Sequence, residues 1–169
     1  MISIVIPVYN EEECLEKNKD YYSELNQQAE LIFVDGGSDD KTPELAQKLG
    51  RLVCSAKGRA FQMNQGAEAA RHDILLFLHA DTVLSKDMLP IIQMAVQNQN
   101  YLGGCFRQVI DQPGWIYRYI AWTGNVRAKM SNVFYGDQGI FVRKDIFHQL
   151  GGFPEVPICE DVYFSKKLS

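Results

Sequence analysis

Short apolar runs without helical period alternate with amphipathic stretches along the first half of the chain. Ile2 to Val8 is the first predicted strand, with Pro7 near its end. A helix rich in Glu and Lys is expected from Glu11 to Gln28. Glu30 to Val34 is a second buried strand, closed by Asp35-Gly36-Gly37. Thr42-Pro43-Glu44 predicts a helix start: Thr as N-cap, Pro at the first helical position and an acid in the first turn. Leu49-Gly50 ends that helix. Leu52 to Cys54 is a short third strand. Arg59 to Arg71 is a helix whose Met63, Gly66, Ala67 and Ala70 form a close-packing face. Ile74 to Leu78 is the fourth strand, a run apolar enough for burial on both faces of a parallel sheet.

The second half is less regular. Ser85 is read as the cap of a helix from Lys86 to about Asn98, with Met88, Leu89, Ile92 and Val96 inward. Leu102 to Ile110 alternates as a strand does. Gly114 to Met130 puts Trp115, Tyr119, Trp122, Val126 and Met130 on one helical face. That stripe is read as core before it is read as a sugar platform, because large aromatics fill cores first. Ile140 to Val142 is a strand, Asp145 to Leu150 a short helix stopped by Gly151-Gly152, and Glu160-Asp161 begin a final helix. Strands alternating with helices imply an α/β fold with a central, mostly parallel, doubly wound sheet. The later elements would add a mixed portion and a substrate cover. The chain reads as one domain, 1–169, without repeats or linker. It stops at Lys166-Lys167-Leu168-Ser169 inside a predicted helix, and a further C-terminal portion is expected.

Composition narrows the class. A length of 169 residues suffices for one domain with a real core, and 46% apolar with 22% charged residues suits a water-exposed globular surface. A net charge of −4 argues against general nucleic-acid binding, so a polyanionic ligand would need local cations. Cys14, Cys54, Cys105 and Cys159 have neither zinc nor redox spacing and are expected as buried free thiols in a reducing compartment. Neither a signal peptide nor a membrane-spanning run is read, which points to the cytoplasm and leaves peripheral contact with the inner membrane face open. Oligomeric state is not legible.

The candidate chemistry lies where the strands end. In open α/β sheets ligands bind beyond the carboxyl ends of the strands. Three loops open on that edge: Pro7-Val8-Tyr9-Asn10-Glu11-Glu12, Asp35-Gly36-Gly37-Ser38-Asp39-Asp40 and His79-Ala80-Asp81. Asp35 is placed to accept from a base N–H or a ribose hydroxyl, or else caps a tight turn. His79 and Asp81 could offer nitrogen and oxygen to a cation such as Mn²⁺; His79 could equally pack. Lys57 and Arg59 open a helix and would make an anion site in an acidic protein. Of Glu160 and Asp161, about 100° apart on a helix, at most one faces a reacting centre squarely.

Together these segments resemble family 2 glycosyltransferases of the GT-A fold, a Rossmann-like nucleotide-diphospho-sugar transferase fold. The resemblance is carried by Ser3-Ile4-Val5-Ile6-Pro7-Val8-Tyr9-Asn10-Glu11, by Val34-Asp35-Gly36-Gly37-Ser38-Asp39-Asp40-Lys41-Thr42, by Phe77-Leu78-His79-Ala80-Asp81, and by Gly151-Gly152-Phe153 with Glu160-Asp161. Lys57-Gly58-Arg59-Ala60 with Gln62-Met63-Asn64, Leu78 to Thr82, and Tyr135-Gly136-Asp137-Gln138 are similar to a bacterial subgroup of radical-SAM/selenodomain-associated transferases.

The resemblance implies an inverting, metal-dependent transfer from a nucleotide sugar, of the UDP type, to an acceptor hydroxyl. In it Asp35 binds the base, near Pro7, Tyr9 and Glu11, while Lys57 and Arg59 serve the donor phosphates. Asp81, the second acid of the family's Asp-x-Asp motif, ligates Mn²⁺ or Mg²⁺; His79 stands where the family usually has Asp. Asp161 is the catalytic base and Glu160 its support. Two alternatives remain at this point. A sugar-phosphate nucleotidyltransferase should carry a Gly-rich loop after its first strand, where this chain has Tyr9-Asn10-Glu11-Glu12. A non-catalytic nucleotide- or glycan-binding module is the other.

Overall fold

The computed structural model describes residues 1–85, 87–98, 101–107, 109, 113–131, 133–156 and 158–168. Six strands form one sheet: β1 (Ile2–Val8), β2 (Glu30–Asp35), β3 (Arg51–Cys54), β4 (Ile74–Phe77), β5 (Gly103–Cys105) and β6 (Ile140–Arg143). Their order is β3-β2-β1-β4-β6-β5. The first four are mutually parallel, with Val8 beside Asp35, Asp35 beside Cys54 and Val5 beside Phe77. β6 enters antiparallel between β4 and β5. The mixed, mostly parallel α/β sheet expected from the sequence is therefore present.

The strands read as unbroken apolar runs because both faces are covered. Ile2, Ile4, Ile6 and Val8 of β1 join one core with Leu31, Phe33 and Leu76. Val5, between them, points to the opposite core with Val34, Leu75 and Phe77. The first core is closed by α1 (Glu12–Lys17), α2 (Lys19–Leu25), α3 (Thr42–Leu49) and α5 (Met88–Asn98). The second is closed by α4 (Arg59–Ala69), α7 (Lys144–Gln149) and α8 (Glu160–Leu168), with Phe147, Phe153 and Phe164 stacked among them. A further helix, α6 (Trp115–Ser131), follows β5.

Several expectations are corrected. The single helix expected over 11–28 is two, because Asn18 leaves helical geometry at φ −103°, ψ 15°. Thr42 does not cap its own helix. Its Oγ1 accepts from Glu11 N across the loop, and Asp40 Oδ1 takes the Thr42 N–H instead. The strand over 102–110 is only Gly103–Cys105; its expected end at Ile110 lies outside the described residues, as does Lys86 at the expected start of α5. Trp115, Tyr119, Trp122 and Met130 are exposed rather than core, since α6 turns its small residues Ala121, Gly124 and Ala128 inward. All four cysteines are free, but Cys54 and Cys159 are exposed and the other two only half-buried.

The packing face of α4 is as read, with Met63, Gly66 and Ala67 buried. Gly66 is the point of closest approach to the sheet: a Cβ there would lie 2.3 Å from Val5 Cγ1 and 2.9 Å from Val34 Cγ2. In an exposed helix Gly→Ala gains about 1 kcal/mol. Here overpacking of about 1–3 kcal/mol opposes it. Gly66→Ala is expected to lower the thermal midpoint by several degrees; a raised midpoint in a calorimetric melt would show that α4 can move away from the sheet freely.

Candidate active site

The site is built from loops that the sheet leaves side by side. Asn10, at φ 54°, turns the chain after β1. Its N–H donates to Ser38 Oγ and its Oδ1 accepts from Asp39 N, both at 2.9 Å. Glu12 N donates to Asp40 Oδ2. These bonds join the loop after β1 to the loop after β2. Beneath them lies Gln62 of α4, fully buried, whose Nε2 donates to Val8 O at 2.8 Å and Val34 O at 2.7 Å. Gly36 rests on that amide, where a Cβ would come within 3.1 Å of it.

Asp35, 5% exposed, ends β2. Its carboxylate accepts from Gly37 N, Ser38 N and Ser38 Oγ, so its immediate work is to shape its own turn. The third loop is held from the helical side. Ala80 O accepts from Tyr22 Oη at 2.6 Å and Cys14 Sγ at 3.2 Å, and Tyr21 Oη accepts from Leu84 N. Asp81 is thereby fixed at the edge of the site with an exposed side chain.

The fourth wall comes from the end of the chain. Asn64 of α4 grips Phe153 at both backbone groups, each at 2.9 Å. This sets the course of the Gly151-Gly152-Phe153 turn, both of whose glycines have positive φ, ahead of α8. Asp161, in the first turn of α8, accepts Gly136 N at Oδ2 (2.6 Å) and Val162 N at Oδ1 (2.7 Å). Gly136 in turn closes on His79: a Cβ at Gly136 would lie 2.5 Å from Nε2. His79, Gly136 and Asp161 thus form one contact chain.

Pro7, Tyr9, Glu11, Arg59, His79 and Asp81 line a single recess of about 200 Å³, floored by Gln62. It opens, through Glu11 and Asp81, into a cleft of about 1280 Å³ that also carries Asp40 and Asp137. Lys57, Arg59 and the buried Glu160 line a second recess of about 540 Å³. Lys57 Nζ sits 3.8 Å over the Tyr9 ring, a cation–π contact that places a positive charge beside the first recess. Gln62, Asn64, Gly136 and Asp137 have roles that the sequence motifs contained but did not disclose. The signals were polar residues on the packing side of a helix and a glycine-acid pair after an aromatic.

Negative charge gathers here. Burial, then Asp81 and Asp40, push Glu11 above the usual carboxylate range, against the pull of Arg59. Burial, then Arg59, hold His79 below the usual imidazole range, against Asp81, Asp137 and Asp161. His79 is therefore a neutral ring whose Nε2 edge faces Gly136. Among the described residues no three His, Cys, Asp or Glu side chains converge closely enough to hold a metal ion by themselves. Exposed Asp81 and neutral His79 fit part of an oxygen-rich shell with one nitrogen, which suits Mn²⁺. The rest of that shell would have to come from a ligand and water.

A family model described as "Glycosyl transferase family 2" matches residues 3–153. The chain is 31% identical over 112 residues to the 4,4'-diaponeurosporenoate glycosyltransferase of Staphylococcus haemolyticus, covering 60% of this chain and 30% of that protein. Among solved structures, the mannosyltransferase PcManGT from Pyrobaculum calidifontis, in complex with GDP-Man and Mn2+, superposes with a TM-score of 0.73 at 20% identity, over 99% of this chain and 51% of that one. The S. aureus TarS 1-349 complex with UDP-GlcNAc gives 0.74 at 17% identity, over 99% and 52%. These likenesses show the GT-A fold. The chain spans about half the length of those structures and less of that curated relative.

The crowding of acids is testable without any ligand. A carboxylate whose folded pKa is raised contributes stability below its unfolded value, here near 4.5, and loses it as pH rises through the folded value. At pH 7 ionised Glu11 therefore works against the fold. Glu11→Gln is expected to melt higher than the parent at pH 7, with the gap closing as pH falls towards 4.5. A gap that widens in acid would contradict the arrangement.

Proposed function

Because the chain belongs to glycosyl transferase family 2, we propose that it transfers a sugar from a nucleotide-diphosphate donor, UDP-linked, to an acceptor hydroxyl with inversion. The observation that carries this reading is the convergence of Pro7, Tyr9, Glu11, Arg59, His79 and Asp81 on one recess at the carboxyl edge of the sheet. The nucleotidyltransferase alternative is not favoured by the family.

In this reading the base lies against Pro7 and Tyr9, over the turn that Asp35 shapes. Asp35 takes four contacts from three donors of its own turn, and it serves the base by holding that turn in place. Arg59 and Lys57 face the diphosphate. Asp81 and His79 would hold a divalent cation, Mn²⁺ or Mg²⁺, with the remaining ligands from donor and water. When bound, that cation would absorb charge as the diphosphate leaves. Asp161 takes the acceptor proton: the N–H groups of Gly136 and Val162 orient its carboxylate. Glu160 supports from the same helix start. A single displacement needs no covalent nucleophile. The radical-SAM-associated subgroup belongs to this reading too, on the segments around Lys57, His79 and Gly136, and a cytoplasmic location on the four free cysteines.

The incomplete protein shell for a metal gives the first test. UDP with Mn²⁺ should raise the melting temperature by more than the two separate shifts combined, because each completes the other's site. Asp81→Ala should abolish that synergy. Additive shifts in the parent would remove the metal bridge from the mechanism.

The second test separates chemistry from binding. Asp161→Asn should cut transfer by about 10²–10⁴-fold while UDP affinity changes little. Glu160→Gln should be milder. If neither change slows transfer tenfold, the pair serves only the helix start.

A further inference from the structure

We propose that the first half of α6 is a docking surface for an anionic lipid bilayer. Its side chains are arranged in reverse of a core helix. The small residues Ala121, Gly124 and Ala128 face the body, while Trp115 (76% exposed), Ile116 (53%), Tyr119 (58%), Ile120 (49%) and Trp122 (57%) face outward. Scattered exposed apolar residues are ordinary, but five within eight positions on one side form a patch. At about 100° per residue they cover nearly half of the helix circumference. A helix lying in a lipid interface buries one broad apolar face at the boundary between headgroups and hydrocarbon.

The chemistry selects the occupant. Trp and Tyr combine an apolar ring with a polar tip and partition to the boundary between headgroups and hydrocarbon. The α6 sequence holds Arg118, Arg127 and Lys129 and no acid over seventeen residues, in a chain whose net charge is −4. A cationic segment on an acidic protein is drawn to an anionic surface. An apolar groove of about 720 Å³, lined by Phe106, Val126, Phe134 and Phe141, reaches Trp122 and extends the patch toward β5. Among the described residues no helix is long and apolar enough to cross a membrane, so this helix would lie on the bilayer. The surface stands whether or not the donor recess binds UDP.

Both tryptophans of the chain lie on α6, so its fluorescence reports this helix alone. The probe is vesicles of phosphatidylcholine with about one-third phosphatidylglycerol. Expected are a blue shift of the emission, quenching by brominated acyl chains, and co-flotation at least about tenfold stronger than with pure phosphatidylcholine and weakened by salt. Trp115→Ser combined with Trp122→Ser should abolish flotation while leaving the circular-dichroism melt unchanged, since both side chains are exposed. Tyr119→Ser, which keeps the fluorophores, should weaken the blue shift. No flotation and no blue shift would overturn the proposal. So would emission that is already blue-shifted without vesicles, together with dimers in sedimentation velocity, because a second copy would then cover the face.

Discussion

One buried amide governs the geometry of the site. Gln62 has two N–H protons, and both reach main-chain carbonyls at the ends of neighbouring parallel strands, Val8 and Val34. Val8 O also accepts from Gly36 N at 3.1 Å, so the amide is a further donor that ties the two strand ends to α4. The same side chain supports Gly36 and floors the recess that holds Tyr9, Glu11, Arg59, His79 and Asp81. Because Gly66 brings α4 almost onto Val5 and Val34, Gln62 one turn earlier arrives at the strand ends from below. Close packing thus delivers the polar group to where the backbone needs it.

The remaining walls follow the same rule. Each loop is fixed by a side chain from a different element that satisfies its backbone: Asn64 on Phe153, Tyr22 and Cys14 on Ala80, Asp161 on Gly136. The loops that carry the carboxylates facing the cleft are therefore positioned by rigid neighbours, which lets Glu11, Asp40, Asp81 and Asp137 gather despite their repulsion. Such a site is electrostatically incomplete. Arg59 and Lys57 offset part of the charge, and a cation held between Asp81 and a diphosphate would offset more. That is the physical basis for joining metal and donor in the proposed reaction.

α6 stands apart from this economy of packing. Among the described residues its buried positions are small and its exposed ones large, so the packing seen here leaves the aromatic area uncovered. The helix keeps its place through a few small contacts and presents aromatic area to whatever lies outside.

The sequence by itself determined the elements and the edge. Unbroken apolar runs predicted β1, β2 and β4 because both sheet faces are covered, and parallel strands separated by helices put their loops at one edge. Six of the residues read as the site meet there in one recess. Only the tertiary structure decided what each polar group does. Thr42 reads as a cap but bonds Glu11; Asp35 shapes its own turn; His79 packs on Gly136; Asn18 breaks a helix that periodicity continues. The aromatic stripe of α6 has the spacing of a core face yet lies outside. Periodicity tells which residues share a face and is silent on which face is covered. Likewise, residue type tells that a hydrogen bond must be made, while the partner is chosen by neighbours from distant parts of the chain.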